Sequence, residues 1–381
     1  MTMKKLIEVL KGFQYTAMII LAVAAGMIFP ELFKHWGGVD LRNKYLILVV
    51  IQLVMFGMGT HMRLADFKGV ASTGKGVLVG LLCHFSIMPL MGVLLTKVFS
   101  FDAEIAAGII LIGSCSSGLA SNVMVYLARA NLVLSVIVTA LATLVAPVMT
   151  PLLMKLFADT LIDVKFFSMM TEIIKIVIVP ISAALLHDYL KNATTAQAKK
   201  IHLLAVLAAT WIILVLSNII SIPSIFLVFR ELSLQFAGAI LVGLGYNRMQ
   251  KYFSHLDAIM PKFSMAGIIY FTLVTTAAGS ESLMKVGGLL FIASVIHNAA
   301  GYFFGYWISR GVGIDVPSSR TIAFEVGLQN GGMASGIAGS MGKLGTVGLP
   351  AAVFSPWMNI SGSILANYWK HRPVKTQINE S

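Results

Sequence analysis

The chain has 381 residues and a formal net charge of +12, yet only 12% of its residues are charged and 57% are hydrophobic. Soluble domains carry roughly a quarter charged residues, so there are too few charges here to cover a water-facing surface. This excludes an ordinary soluble protein. The basic residues lie between apolar runs instead of on one amphipathic face, so nucleic acid is not an expected partner. Cys83 and Cys115 both fall inside apolar runs, which argues against a disulfide framework.

Continuous apolar runs follow one another along the whole chain. A helix needs about 20 mostly apolar residues to cross a bilayer, and unbroken runs are not the alternating pattern of a barrel. The predicted spans are 13–30, 44–61, 73–97, 104–128, 132–157, 165–187, 201–220, 226–247, 258–278, 284–308, 318–340 and 346–369. We interpret the first run, after Lys4 and Lys5, as a span and not a cleaved signal peptide, because the rest of the chain is equally apolar.

Lysine and arginine residues predict the orientation. With the N-terminus in the cytoplasm, 18 basic residues fall on the inner side and 8 on the outer side, leaving out Lys155 and Lys175 within spans. Cytoplasmic loops carry the excess of basic residues in membrane proteins. We therefore expect a multi-pass protein of the inner (plasma) membrane with both termini in the cytoplasm.

A weak internal repeat relates the two halves. The segment 118–121 reads Gly-Leu-Ala-Ser and the segment 332–335 reads Gly-Met-Ala-Ser, and His84 and His297 precede them by 34 and 35 residues. If each unit holds five spans, an odd number, the second copy inserts upside down, as in many transporters. Chance similarity between helices rich in small residues is the alternative.

The second half is the longer one. Its excess lies at 190–252, holds two predicted spans and reads as an inserted helical hairpin. The predicted units are a first repeat at 1–158, a second repeat at 165–370 interrupted by the hairpin, and a cytoplasmic tail at 371–381. The fold class is all-α, with panel and core domains implied by the family resemblance described below.

The fourth and eleventh predicted spans do not resemble lipid-facing helices. The fourth span contains Gly-Ser-Cys-Ser-Ser-Gly at 113–118, and the eleventh contains Glu-Val-Gly-Leu-Gln-Asn-Gly-Gly at 325–332. Such segments free backbone groups, which must then line a protein cavity. Close packing through small residues is the alternative. It explains the glycines and serines, but not Asn122, Glu325, Gln329 and Asn330.

Among the 16 acidic residues, only Glu172 and Glu325 lie well inside a predicted span. Glu172 has Lys175 one helical turn further on as a partner. Glu325 has no lysine or arginine within four positions, and an ionisable residue at such a place costs at least ~2.5 kcal/mol. A bound sodium ion would offset that cost, since hard cations prefer oxygen ligands. A buried, hydrogen-bonded structural role is the alternative.

Three segments carry a resemblance to a known family. They are Gly118 to Ala128 with Ser135, Thr139, Ala146-Pro147 and Thr150-Pro151; Glu325 to Asn330; and Trp357 with Asn359 to Ser363. In these motifs the chain resembles the bile acid:sodium symporter family over nearly its whole length, except for the inserted hairpin. The resemblance implies ten spans in two inverted five-span repeats, with two broken helices crossing in a core domain.

The resemblance also implies two sodium sites and a substrate site beside them. The first ion site would consist of Ser121, Asn122, Ser135, Thr139 and Glu325. The second would use Glu325, Gln329 and the carbonyls of Val326 and Leu328, with His84 nearby. The substrate would lie near Leu119, Asn330, Met358, Asn359 and His297, facing the helix N-termini freed at the crossing.

Three positions depart from the family pattern. His84 stands where the second ion site often has a glutamine, and an imidazole nitrogen is a softer ligand than an amide oxygen. His84 and His297 are equally compatible with hydrogen-bonded core histidines. Leu119 replaces a common threonine and Met358 a common histidine beside the expected substrate, so the substrate's identity cannot be carried over.

Other function classes have weaker support. A prenyl transferase needs aspartate-rich motifs and a metalloprotease needs His-Glu-x-x-His, neither of which occurs within a span. A serine protease could use Ser116 or Ser117 with His84. A cation/proton antiporter of related architecture has acidic residues where this chain has Ser121 and Asn122, and a channel or receptor stays open. We predict a non-enzymatic sodium symporter, embedded in membrane lipid, for a bile acid, keto acid or pantoate-like anion.

Overall fold

The computed structural model describes residues 17–220 and 222–372, and this part of the chain is almost entirely helical. Lys4, Lys5, Lys11, Lys375, the start of the first predicted span and most of the predicted tail lie outside it. The helices are α1 (Ala17–Ile28), α2 (Pro30–Lys34), α3 (Lys44–Gly59), α4 (Val70–Phe99), α5 (Ala103–Ser114), α6 (Leu119–Leu127), α7 (Leu132–Phe157), α8 (Phe166–Ile173), α9 (Val179–Lys191), α10 (Thr195–Leu216), α11 (Leu227–Tyr252), α12 (Leu256–Ala278), α13 (Ser280–Gly311), α14 (Val316–Gly327), α15 (Gly331–Ser340) and α16 (Leu349–Lys370).

The remaining elements are short. Strand β1 (His35–Trp36) pairs antiparallel with β2 (Val39–Asp40), and 3₁₀ turns occupy Leu64–Gly69 and Ser224–Phe226. A π-helical turn at Ile174–Ile178 joins α8 to α9, so that Phe166–Lys191 forms one span.

Seven helices of the described chain are long and apolar enough to cross a membrane, and the segments Ala17–Ile28, Lys44–Gly59 and Ala103–Ser114 are shorter apolar helices. Each of the twelve predicted spans falls on one helix or on two consecutive ones. The prediction of an all-α membrane protein with many spans is therefore confirmed. Among the boundaries, α10 begins six residues before its predicted start, because Thr194 and Gln197 form a capping box there.

The helices pack in two groups. Helices α4, α7, α13, α14 and α16 surround the short helices α5, α6 and α15, and α3 packs against α9 and α12 on one side of them. The predicted hairpin corresponds to α10 and α11, which pack on each other, while α11 packs on α9. It is therefore attached at the edge of the bundle. Cys83 and Cys115 are buried free thiols.

Two spans are interrupted where the sequence is rich in glycine and serine. Helix α5 ends at Ser114 and α6 begins at Leu119, while α14 ends at Gly327 and α15 begins at Gly331. The side-chain oxygen of Asn330 caps α15 by accepting the Met333 amide at 3.0 Å. Both interruptions therefore leave helix ends inside the protein.

Candidate functional site

The two interruptions cross each other and pair through their backbones. Ser117 and Gln329 form an antiparallel bridge, and the Asn330 amide donates to the Ser116 carbonyl at 2.8 Å. A Cβ atom on Gly118 would lie 3.3 Å from the Gln329 carbonyl oxygen, tighter than most such contacts. Small residues are therefore needed where the two interrupted segments approach each other.

Carbonyl groups freed at these breaks find partners on neighbouring helices. Thr150 of α7 donates to the Ser114 carbonyl at 2.7 Å, and Asn298 of α13 donates to the Gly327 carbonyl at 2.8 Å. Without such donors, helix ends buried in a membrane protein would carry unsatisfied polar groups. From the sequence, Thr150 was named only within the family motif and Asn298 was not named, because nothing in their local pattern indicates which carbonyl each would reach.

His84 of α4 lies between the two breaks. Its Nδ1 lies 2.8 Å from the Glu325 carbonyl oxygen, and its Nε2 lies 2.7 Å from the Cys115 carbonyl oxygen. A neutral imidazole carries one N–H, so only a protonated ring donates to both carbonyls at once. Both ring nitrogens thus face backbone acceptors that belong to different halves of the chain. The role of His84 in an ion site stays a prediction.

Glu325 is fully buried in the last turn of α14 and is surrounded by hydroxyl groups. Its Oε1 accepts from Ser135 at 2.6 Å, and its Oε2 accepts from Ser117 at 2.7 Å and from Thr139 at 2.9 Å. No lysine or arginine of the described chain forms an ion pair with it. The carboxylate is therefore held only by neutral donors.

Asn122 and Ser121 complete this group of oxygens. The Asn122 Oδ1 lies 2.7 Å from the Ser135 hydroxyl oxygen and 3.3 Å from that of Thr139, which is also 3.3 Å from the Ser121 hydroxyl. The structure thus brings together all five residues predicted for the first ion site. We call Ser117, Ser121, Asn122, Ser135, Thr139 and Glu325 the oxygen cluster.

The oxygen cluster has the chemistry of a site for a hard cation. It combines one carboxylate, one amide oxygen and four hydroxyl oxygens, which are ligands that such ions prefer. Ser117 was not predicted as a ligand, although it lies in the Gly-Ser-Cys-Ser-Ser-Gly segment that marked the break. Its neighbour Ser116 instead faces Thr143, at 3.3 Å.

The side-chain amide of Gln329 is only partly hydrogen-bonded within the described part of the chain. Its Nε2 donates to the Val326 carbonyl at 2.8 Å, whereas its buried Oε1 has no hydrogen-bond partner within the described residues. A buried carbonyl oxygen without a donor costs about 1–3 kcal/mol. Val326 and Leu328, predicted for the same second ion site, are also fully buried.

The predicted substrate residues divide into two groups. Asn330 stands at the N-terminus of α15 with its Nδ2 buried and unpartnered among the described residues, and Leu119 is half-buried in the first turn of α6. Met358 and Asn359 are buried on α16, whose Ser355 lies against Gly331. Asn330, Leu119 and α16 therefore meet near the crossing.

His297, the remaining residue predicted for the substrate site, makes different contacts. Its Nε2 lies 2.8 Å from the Met88 carbonyl oxygen, and its ring packs against Phe354 with 5.6 Å between ring centroids. The side chain is 1% exposed. These contacts are those of a packed, hydrogen-bonded histidine, and its contact with substrate stays a prediction.

Comparisons with known proteins identify the relatives of this chain. Residues 47–222 match the profile of the Sodium Bile acid symporter family. The chain is 32% identical over 360 residues to the "Uncharacterized sodium-dependent transporter YocS" of Bacillus subtilis, covering 94% of this chain and 91% of that protein. It is 28% identical to the "Probable sodium/metabolite cotransporter BASS1, chloroplastic" of Arabidopsis thaliana, over 86% and 67% of the two chains. It is 28% identical to the human "Ileal sodium/bile acid cotransporter", over 77% and 68%. These relatives are all transporters, so the prediction that the chain is not an enzyme is confirmed.

Proposed function

We propose, since this chain belongs to the sodium bile acid symporter family, that it is a secondary transporter that couples sodium to the movement of a small organic anion. The observation that carries the proposal is Glu325, fully buried at a helix break among neutral oxygens. A charge in such a place marks an ion pathway by default. Its relatives are named as sodium-dependent transporters and cotransporters.

Sodium is the cation that suits this cluster. One carboxylate and neutral oxygens neutralise a single positive charge, and their separations of 2.6–3.3 Å leave them close enough to turn toward one ion. Hydroxyls that now donate to Glu325 would rotate and offer lone pairs when the ion enters. Gln329, with its unpartnered Oε1, is the ligand we propose for a second ion.

An anionic group on the substrate fits the other side of the crossing. Helices α6 and α15 both begin there, and helix N-termini attract negative charge through their free amides and dipoles. The buried Nδ2 of Asn330 is a donor that has no acceptor among residues 17–220 and 222–372. We propose that a carboxylate of a bile acid, keto acid or pantoate-like compound binds there, beside Leu119, Met358 and Asn359.

We further propose that the two halves form inverted repeats, at 1–158 and at 165–370, with 190–252 inserted into the second. The matching breaks and the histidines of α4 and α13 support this. His84 contacts a carbonyl of the second half, and His297 contacts a carbonyl of the first. The 18-to-8 bias of basic residues supports cytoplasmic termini in the plasma membrane.

Uptake into proteoliposomes tests the proposed function. Purified protein is reconstituted and offered labelled keto acids, pantoate-like acids and bile salts, with an inward gradient of sodium or of potassium. We expect at least one of these anions to accumulate with sodium only. Equal uptake of every compound in both salts, or uptake driven by a pH gradient alone, would contradict the proposal.

A further inference from the structure

A large cavity lies away from the crossing, between the inserted pair of helices and the bundle. It has a volume of about 1040 Å³, is lined by α3, α9, α10, α11 and α12, and is open on one side. Its walls are mainly apolar, with Leu53, Phe56, Val242 and Phe263 among the lining residues. It contains none of the oxygen cluster, so it belongs to neither the ion site nor the substrate site.

Two glycines on α11 create much of this space. Helix α11 packs tightly on α9, where a Cβ on Gly243 would lie 2.6 Å from the Ala183 carbonyl oxygen. Gly238 and Gly245 line the cavity, and a Cβ on either would meet no atom within 4 Å. They are seven residues apart and so lie on one face of the helix. The two glycines therefore leave room on the cavity-facing side of α11, while Gly243 allows another face to pack closely on the bundle.

An apolar space of this size inside a bilayer must be filled by something apolar. Atoms that line a void lose their dispersion contacts, and lipid chains surround these helices on their outer side. Gln52 and Gln235 also line the cavity, and the Gln52 Nε2 donates to the Gln235 Oε1 at 2.9 Å and to the Lys175 carbonyl at 3.0 Å. Both amide hydrogens of Gln52 are thus used, and most other lining residues are apolar, which favours hydrocarbon over a polar metabolite.

One end of the cavity is strongly basic. Met249 and Phe263 line that end, and the exposed side chains of Arg248, Lys251 and Lys262 stand next to them in sequence. None of these three has an ion pair within the described part of the chain. These cations are therefore available to an anionic group.

The acidic residue nearest in sequence to these three basic residues does not neutralise their charge. Asp257 already accepts from Lys191 at 2.6 Å, from Tyr246 at 2.8 Å and from Gln250 at 2.6 Å. These hydrogen bonds commit its carboxylate to other partners.

The other end of the cavity has no net positive charge. Lys175 pairs there with both Glu172 and Glu231, and with Arg230 these charges sum to zero. The cavity therefore offers an apolar body with a positive charge at one end only, which is the complement of an anionic lipid.

We infer that an anionic phospholipid binds in this cavity, with its acyl chains between α11 and α12 and its phosphate at Arg248, Lys251 and Lys262. Basic clusters at the ends of spans attract anionic headgroups. The bound lipid fills the space that remains between α3 and α11 beside the Gln52–Gln235 hydrogen bond, and it tethers the inserted pair to the bundle. The inference is independent of the proposed transport function.

Lipid retention measured by mass spectrometry tests the inference. The full chain is purified in detergent with a mixture of phosphatidylglycerol and phosphatidylcholine, washed, and the retained lipids are counted. We expect about one phosphatidylglycerol per chain in preference to phosphatidylcholine. Gly238→Leu with Gly245→Leu fills the cavity and should abolish retention, while Gly288→Leu, at an open position on α13, should not.

A second pair of variants tests the headgroup contact without altering the core. Arg248→Gln with Lys262→Gln should lower retained phosphatidylglycerol about thirtyfold and remove the preference for it. The matched change of Lys97 and Lys285, exposed at the other ends of spans, should have no effect. Equal retention of both lipids by the unaltered chain, retention of detergent alone, or retention unaffected by filling the cavity would overturn the inference.

Discussion

Glu325 is the only acidic side chain in the described part of the chain that is fully buried. Placing a charge at the centre of a span costs at least ~2.5 kcal/mol, and hydrogen bonds to a charged group return about 1.5–3 kcal/mol each. Three hydroxyl donors are thus enough to hold the carboxylate in place, while its negative charge stays without a counter-charge. A site balanced in this way can bind a monovalent cation and also release it.

Ser117 tests the geometry of the oxygen cluster. Ser117→Ala removes one hydrogen bond to the Glu325 carboxylate, so we expect sodium affinity to fall about tenfold, the equivalent of ~1.4 kcal/mol. Sodium titration of purified protein measures this change. Ser114→Ala is the matched control, because Ser114 is equally buried but donates to Ile110 of its own helix. The same affinity in both variants would remove Ser117 from the site.

His84 tests the link between the two breaks. His84→Phe removes the contacts of both ring nitrogens with the carbonyls of Glu325 and Cys115, and a buried carbonyl left without a donor costs about 1–3 kcal/mol. His297→Phe removes a single carbonyl contact from an equally buried site. We therefore expect the larger fall in thermal unfolding temperature for His84→Phe. A smaller or equal fall would contradict a bridging role.

The oxygen cluster could largely be predicted from residue types, because a lone acid and freed backbone groups in apolar spans have few explanations. Ser117 could not, since only the bridge to Gln329 determines which serine of the segment faces Glu325. The unusual contacts of His84 were equally invisible, because its partners are backbone carbonyls far away in sequence.

The broken helices are fixed by close approaches of backbone to backbone. A Cβ on Gly301 of α13 would lie 2.7 Å from the Gly327 Cα, at the end of α14 and two residues after Glu325. The glycine and serine clusters in the sequence did predict the positions at which the two spans break. They could not predict which helix presses on each break, because packing partners leave no local pattern in a single sequence.

Gly301→Ala should therefore act on the ion site from outside it. Overpacking costs about 1–3 kcal/mol, and a shift of α14 would displace Glu325. We expect a lower unfolding temperature and weaker sodium binding. Thermal unfolding recorded in sodium and in potassium measures both effects. Gly288→Ala, on the same helix but in open space, should leave both unchanged. Parallel behaviour of the two variants would show that the contact with α14 is unimportant.

Excision of 190–252 tests whether the inserted pair takes part in transport. Helices α10 and α11 pack at the edge of the bundle, and no residue of the oxygen cluster lies in them. We expect the shortened chain to express poorly but to keep sodium-dependent uptake per folded molecule. Folded protein that no longer binds sodium would make the pair part of the mechanism.

At the scale of the whole molecule, composition and apolar runs predicted the class of fold, because the bilayer allows few alternatives. They also located the helices, since each of the twelve predicted spans falls on one helix or on two consecutive ones, but they did not predict the cavity beside α11. Its existence depends on which face of α11 meets α9, and that is decided by tertiary packing. The oxygen cluster, the proposed anion site and the cavity beside α11 thus occupy separate places in one helical bundle.

The central claim is that Glu325 binds sodium, and a sodium titration of the purified chain followed by thermal unfolding tests it most directly. Binding to the folded state adds about 2.7 kcal/mol of stability at a concentration of 100 times Kd. Glu325→Gln preserves shape but removes the charge, and Glu172→Gln makes the same change at an acid paired with Lys175. We predict that sodium, but not potassium, stabilises the unaltered chain and Glu172→Gln, and leaves Glu325→Gln unchanged. Equal stabilisation of Glu325→Gln by sodium would contradict the account.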